Sequence, residues 1–203
     1  MTGKVYIASM NMRGKWAQPT IDNYVKINVT SSQSKKSKNR LAFSPMNPID
    51  GGYKGFYCFE NYWQAGKVYE GIDRDIQLKW WREIKEPKRR YKGSKGKKVL
   101  HAVFGDNDKE YDYITSRKEI YVPEYYNLIK DQDMVKYWQN QLENGENLII
   151  YDFDGPRKDD GEVLCLNLDN NLLIEKINDT KHPFGHGYIV GATILGIGPD
   201  KYI

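Results

Sequence analysis

The chain has 203 residues, 39% hydrophobic and 29% charged, with sixteen Tyr and five Trp; that length suits one compact core better than two, and the aromatic content excludes a disordered chain. The net charge of +4 permits a phosphate or nucleic-acid partner without requiring one, because total charge speaks to partners and not to fold. Two cysteines, Cys58 and Cys165, are too few for a disulfide scaffold and have no zinc or redox spacing, and no apolar run approaches a signal peptide or membrane span, so a cytoplasmic protein without membrane contact is expected.

In chain order, residues 4–9 and 24–30 alternate and are rich in β-formers, which predicts two strands. The polar, basic stretch 31–39 has no periodicity and predicts a surface loop. Between residues 43 and 58, Pro45, Pro48 and Gly51-Gly52 forbid a long regular element. Residues 59 to about 70 have helical spacing, with Phe59, Tyr62, Trp63, Gly66 and Tyr69 on one side. A second helix over 74–85 stops at Glu86-Pro87. Residues 87–98 form a densely basic, glycine-broken loop. Residues 99–104 are ambiguous. Helices are expected over 111–121 and 124–130, interrupted by Pro123, and over 134–144, ended by Gly145. Asn147–Asp152 has the pattern of a buried strand whose carboxyl end delivers Asp152, Asp154 and Gly155 into a loop. Helices over 172–177 and 184–197 follow. The pattern predicts an α+β fold, mainly α with a small sheet, in a single domain without internal repeats.

On a helix, Glu60, Gln64 and Lys67 fall within one narrow arc. Spacing alone suits a solvated polar stripe; the preceding Pro-, Gly- and aromatic-rich loop is the kind of irregular backbone that walls a pocket. The basic segment 88–98 suits phosphate, a nucleic-acid backbone, or simply water, and it lacks a Walker pattern. Trp63, Trp80 and Trp81 suit a core as well as a base-stacking platform.

Phe43-Ser44-Pro45 with Pro48-Ile49, followed by Phe59-Glu60-Asn61-Tyr62-Trp63-Gln64-Ala65-Gly66-Lys67-Val68, resembles the opening motif of the NADAR family over residues 43–68. The chain is also similar to a bacterial and phage group without assigned function. That group shares a Tyr-Ile-Ala-Ser start, the Phe-Ser-Pro segment, the Trp-Gln and Lys helix and a late His-Gly-Tyr-Ile segment. NADAR relatives are N-glycosidases acting on riboflavin-pathway intermediates or ADP-ribosylated nucleobases. The resemblance therefore implies a NADAR-like core over 43–203, with residues 1–42 as an elaboration, and hydrolysis of a ribosyl N-glycoside with Glu60 as the helix carboxylate. Ser44, Trp63, Gln64 and Lys67 within the matched stretch, and Arg90 and His186 outside it, are the expected substrate-binding residues, and no cofactor is expected.

The family's Trp-Gly-Asp motif has no counterpart here, where Phe184-Gly185-His186-Gly187-Tyr188 stands instead. Asp152 and Asp154 are the candidates for the second catalytic group, with His186 beside them; a turn at Asp154-Gly155 and a helix cap at His186 are their structural readings. Cleaving an N-glycoside builds positive charge on the ribose as the base departs. The site needs an anion beneath the anomeric carbon and a way to activate water. Glu60 suits both tasks, an apolar neighbour such as Trp63 excludes water, and Lys67 or Arg90 suits a phosphate of ADP-ribose. No metal is called for. Two rival readings stand beside this one. The first is a nucleoside deoxyribosyltransferase-like enzyme, from the 4–9 strand and a later helix carboxylate. The second is a non-catalytic nucleic-acid-binding or phage–host interaction protein, from the basic segments 34–40 and 88–98.

Overall fold

In chain order the elements are β1 (Val5–Ser9), β2 (Tyr24–Asn28), α1 (Lys38–Phe43), α2 (Phe59–Ala65), β3 (Lys67–Tyr69), α3 (Arg74–Glu83), β4 (Val99–Val103), β5 (Glu110–Tyr111) and α4 (Tyr113–Ser116). A π-helical turn (Arg117–Tyr121) follows, then α5 (Val122–Ile129), α6 (Asp133–Glu143), β6 (Asn147–Asp152), β7 (Cys165–Asn167), α7 (Asn170–Ile177), α8 (His186–Ile194) and a closing 3₁₀ turn (Pro199–Lys201). This computed structural model describes residues 2–10, 23–105 and 109–203. The fold class is α+β. The chain divides into two compact units, Met1–Ser44 with Arg117–Ile203, and Pro45–Ser116.

The first unit is built on a four-stranded sheet of order β2-β6-β1-β7, in which β2, β6 and β1 run parallel and β7 is antiparallel to β1. Strand β6 is a run of apolar residues because both of its faces are covered. Ala8, Ile149 and Tyr151 cluster with Tyr6, Tyr24 and Cys165 on one face. The alternate residues Val5, Ile7 and Ile150 meet α8 on the other. Helix α8 is buried along its length after His186, and its glycines let it approach closely: a Cβ on Gly191 would lie 2.3 Å from Leu168 Cδ2. Small residues in this helix are thus a packing device, which offsets their poor helix propensity.

The second unit carries the antiparallel sheet β3-β4-β5 with α2, α3 and α4. Helix α3 is capped by Asp73, whose side chain accepts from the Ile76 N–H, and it buries Trp81 completely.

Several boundaries differ from the sequence expectation. The helix expected over 59–70 ends at Ala65, and Lys67–Tyr69 is a strand paired with β4, Lys67 facing Ala102 and Val68 facing His101. The cause lies at Gly66. Its carbonyl accepts from the Val103 N–H (2.8 Å), and the Phe104 ring lies so close that a Cβ on residue 66 would sit 2.2 Å from it. Lys67 therefore does not belong to the helical arc of Glu60 and Gln64. The loop expected over 31–39 ends early, because the Ser37 hydroxyl caps α1 at the Arg40 N–H and Trp138 Nε1 donates to Asn39 Oδ1 (2.9 Å). Tyr111, expected to open a helix, belongs with Glu110 to strand β5. Pro123 does not interrupt: it sits in the first turn of α5, directly after the π-helical turn, and the helical run continues through it. The last helix is shorter than expected, His186–Ile194.

Candidate functional site

Glu60 lies in the first turn of α2, where a carboxylate complements the helix dipole, and its N–H donates to Pro45 O (2.9 Å). The side chain is half-buried. Gln64 Nε2 donates to Glu60 Oε1 at 2.8 Å, so the expected arc holds for this pair and fixes the orientation of the carboxylate. Gln64 is buried, and its own Oε1 has no partner among the described residues. One position along the helix, Asn61 is fully buried; its Nδ2 donates to Glu86 O (2.9 Å) and its Oδ1 accepts from the Lys88 N–H (2.8 Å). Asn61 thus ties the start of the basic segment to α2. Cys58 precedes the helix, and burial pushes its thiol up to about 11, with the Glu60 charge acting in the same direction against the N–H of Asn61.

Trp63 stacks on Phe104, centroids 5.4 Å apart and planes 10° apart. Together with Lys67, Tyr111, His101 and Asp112 these rings line a cavity of about 250 Å³. Glu60, Trp63 and Gln64 share one face of α2 by the i, i+3, i+4 rule, and Lys67 reaches the same cavity as Trp63 from β3. Strand β3 is held there by Gln77 Nε2, which donates to Lys67 O (2.8 Å).

A second centre lies in the other unit, at the carboxyl ends of the parallel strands, the edge where open α/β sheets gather their polar groups. Asp152 ends β6 opposite Ser9 of β1, and both are buried. Its Oδ2 accepts from the Gly187 N–H at 2.7 Å and lies 3.2 Å from His186 Nδ1. His186 Nε2 in turn sits 3.0 Å from Val29 O, just beyond β2. Only a doubly protonated ring donates to both oxygens; a neutral ring serves one of them. Glycine is required on either side: a Cβ on Gly185 would lie 2.3 Å from Asp152 Oδ2, and one on Gly187 2.7 Å from Asp152 Cβ. Tyr125 packs edge-to-face on His186 (5.9 Å) and donates to Phe43 O. Burial, then the Asp152 charge, hold its hydroxyl well above the usual phenol range. Asp152 thus fastens the start of α8 to the sheet. Asp154 is exposed, with its N–H directed at Asp152 Oδ1 (3.5 Å).

The structure brings Glu60 together with Gln64, Trp63 together with Lys67, and Asp152 together with His186 and Asp154. Glu60 and the Asp152 group belong to different compact units. Ser44 is buried at the end of α1, its N–H on Arg40 O (2.9 Å). Arg90 is exposed; burial raises the Tyr69 hydroxyl, while Ser94 and the Arg90 charge act against that rise. The basic segment around Arg90 is organised. Ser94 and Lys97 N–H donate to Tyr91 O (3.1 Å) and Ser94 O (3.0 Å), and Tyr91 packs on Trp80 (5.2 Å). Segment 34–40 is partly helical, since α1 begins at Lys38.

Sequence reasoning missed Asn61, Arg117 and Tyr125. A single clue was available: Asn61 is polar on the buried side of its helix. No group of three or more His, Cys, Asp or Glu side chains is gathered as metal ligands, and no helix is long and apolar enough to cross a membrane, among the described residues.

Fold and site define an α+β protein with two small sheets among the described residues, one carrying the buried Asp152 and its half-buried partner His186 at its carboxyl edge and the other an aromatic cavity beside a helix carboxylate. The chain belongs to the family of unknown function DUF6939, whose family model matches residues 14–161. No curated protein and no solved structure matches it.

Proposed function

We propose that the protein hydrolyses the N-glycosidic bond of an ADP-ribose, ribosylated nucleobase or other nucleotide-type substrate, with Glu60 as the carboxylate that activates water and stabilises the ribosyl cation. The observation that carries this reading is the half-buried Glu60 carboxylate, oriented by Gln64 at 2.8 Å on the helix face that also presents Trp63 to an aromatic cavity of about 250 Å³. The resemblance of residues 43–68 to the NADAR motif supports the same assignment. In this reading water adds to the anomeric carbon as its bond to the base nitrogen breaks. Glu60 takes the proton from water and passes it to a base that departs as an anion, or to solvent where the base departs neutral as nicotinamide does, so that free sugar and free base result. Its negative charge meets the positive charge that grows on the ribose. Lys67 lines the cavity and is the cation that meets a substrate phosphate. The cytoplasm of a bacterium or of a phage-infected host is the setting.

The test is release of free base or nicotinamide from a panel of ADP-ribose conjugates and nucleosides. Glu60→Gln lowers the rate by roughly 10²–10⁴-fold, the span of a lost general base, while far-UV circular dichroism stays unchanged. Equal turnover in variant and wild type would sink the assignment. A nucleic-acid-binding reading rests on Lys92, Lys95, Lys97 and Lys98, all exposed and without an ion pair to a described residue. Under it, neutralising Lys95, Lys97 and Lys98 lowers the slope of log affinity against log salt by about 0.9 per lost phosphate contact, and a salt-independent affinity rejects it.

A further inference from the structure

Asp152 and His186 have no task in the hydrolase reading, and they meet where three segments come together. Asp152 closes β6, Val29 follows β2 and His186 opens α8. The imidazole is 11% exposed and the carboxylate 2%, so neither exchanges its partners freely with water. Nδ1 lies 3.2 Å from Asp152 Oδ2, and Nε2 lies 3.0 Å from Val29 O. Both neighbours are acceptors. A neutral imidazole has one N–H and one lone pair, so it serves one acceptor and turns its lone pair on the other; a protonated ring donates to both.

The two acceptors are unequal. A hydrogen bond to a carboxylate is roughly twice as strong as one to a neutral carbonyl. The carboxylate is also fixed in place, since Oδ2 accepts from the Gly187 N–H at 2.7 Å and lies close against the Gly185 backbone. A neutral ring therefore keeps its proton on Nδ1, and the contact it gives up is Val29 O.

Among the described residues, the other titratable groups around the ring come from three elements. Tyr125 of α5 packs edge-on at 5.9 Å, and Tyr188 lies one turn further along α8. Burial, then the Asp152 charge, raises both hydroxyls, so both stay neutral while an imidazole changes charge. Asp154, in the loop after β6, is exposed and directs its N–H at Asp152 Oδ1 (3.5 Å). The amino-terminal dipole of α8 disfavours a charged ring, and the Asp152 carboxylate offsets it.

Val29 O belongs to a turn that is bonded mainly to itself. The Thr30 N–H and hydroxyl donate to Asn28 Oδ1 (2.9 and 2.8 Å), the Ser32 N–H donates to Thr30 Oγ1 (3.2 Å), and Gln33 Nε2 donates to Asn28 O. The turn therefore moves as one body. Its tie to the sheet is the Val29 N–H on Tyr151 O (3.2 Å), and its tie to α8 is His186.

We propose that His186 is a pH-operated clasp between α8 and the turn after β2: protonated, it holds Asp152 and Val29 together; neutral, it keeps Asp152 and releases the turn. The clasp is closed while the ring carries both protons and opens as pH rises through the imidazole titration.

Hydrogen exchange at Val29, Thr30 and Ser32, followed by NMR from about pH 5.5 to about pH 8 and expressed as protection factors, tests it. In wild type, protection there falls about tenfold to a hundredfold, the loss of one charge-assisted hydrogen bond, while protection across β6 is unchanged. His186→Gln is neutral at every pH and loses the dependence. His182→Gln, at another half-buried imidazole, keeps it. The ¹⁵N shifts of the His186 ring read the same event in the wild-type protein, and they decide the matter if His186→Gln does not fold: both nitrogens carry protons at the acid end, and Nε2 loses its proton as pH rises while Nδ1 keeps its own. None of these readouts involves turnover, so the clasp and the hydrolase reading stand or fall separately. Level protection across the range, a pH dependence that persists in His186→Gln or vanishes in His182→Gln, or loss of the Nδ1 proton ahead of Nε2 overturns the proposal.

Discussion

Arg117 is 2% exposed, and its guanidinium collects four backbone carbonyls: Lys176 O (3.2 Å), Ile177 O (3.0 Å) and Asp179 O (3.0 Å) from Nη1, and His182 O (3.2 Å) from Nη2. The first two belong to the last turn of α7; Lys176 O also accepts from the Asp179 N–H (3.3 Å), whereas Ile177 O, Asp179 O and His182 O are the carbonyls that lean on Arg117. Arg117→Met keeps much of the side-chain volume and removes every donor. A buried acceptor left without a donor costs about 1–3 kcal/mol. Water reaches some of the four once the segment relaxes, so the net loss is about 3–5 kcal/mol, a large share of a stability that in most domains is only about 5–15 kcal/mol. Arg117→Lys recovers little, since one ammonium does not reproduce the planar fork. Urea unfolding followed by far-UV circular dichroism measures the total. Hydrogen exchange across residues 170–177 measures the local effect, and protection there is lost before protection in β6. A loss under about 1 kcal/mol with α7 protection unchanged would refute the claim that Arg117 caps this helix.

Gly187→Ala places a Cβ 2.7 Å from Asp152 Cβ and 3.1 Å from Ile7 Cδ1, and is expected to cost about 1–3 kcal/mol by overpacking; an unchanged melting temperature would contradict the tight fit of α8 on the sheet. Burial pushes the thiols of Cys58 and Cys165 up to about 11, so at pH 8 each holds about a hundredfold less thiolate than an ordinary cysteine, and iodoacetamide labels them rapidly only after unfolding; equal labelling of native and unfolded protein would contradict this. Burial, then Tyr24 and Cys165, raise Tyr151 to about 12, and Tyr125 and Tyr188 lie well above their ordinary value through burial and the Asp152 charge. The folded state therefore favours neutral phenols: this stability is fully present below pH of about 10 and is lost as pH rises toward 12. Tyrosinate absorbance should rise in two stages, the second coinciding with loss of helical signal; a single native-state step near pH of about 10 would refute it.

What was legible in the sequence is what local pattern controls. Strand β6 was bounded correctly because Leu148, Ile149 and Ile150 form an apolar run between polar residues. Helix α3 was found from the spacing of its Trp residues and from Glu86-Pro87 beyond it. The position of Glu60 on a helix and its contact with Gln64 followed from the four-residue repeat. The errors arose where distant chain decides. Helical spacing continued numerically through Lys67, but Phe104 packs against Gly66 and β4 captures Lys67–Tyr69. A lone arginine such as Arg117 carries no signal of burial, since its carbonyl partners lie 59–65 residues away. His186 and Asp152 were both singled out, yet their bond needed the sheet edge and the paired glycines of residues 185 and 187 to bring them together.

The most direct test of the central claim is hydrolysis in ¹⁸O-water across ADP-ribose conjugates and nucleosides. The account predicts release of free base with one ¹⁸O atom on the sugar product and none on the base, at a rate that falls roughly 10²–10⁴-fold in Glu60→Gln. No release from any member of the panel, or equal rates in Glu60→Gln and wild type, would contradict it.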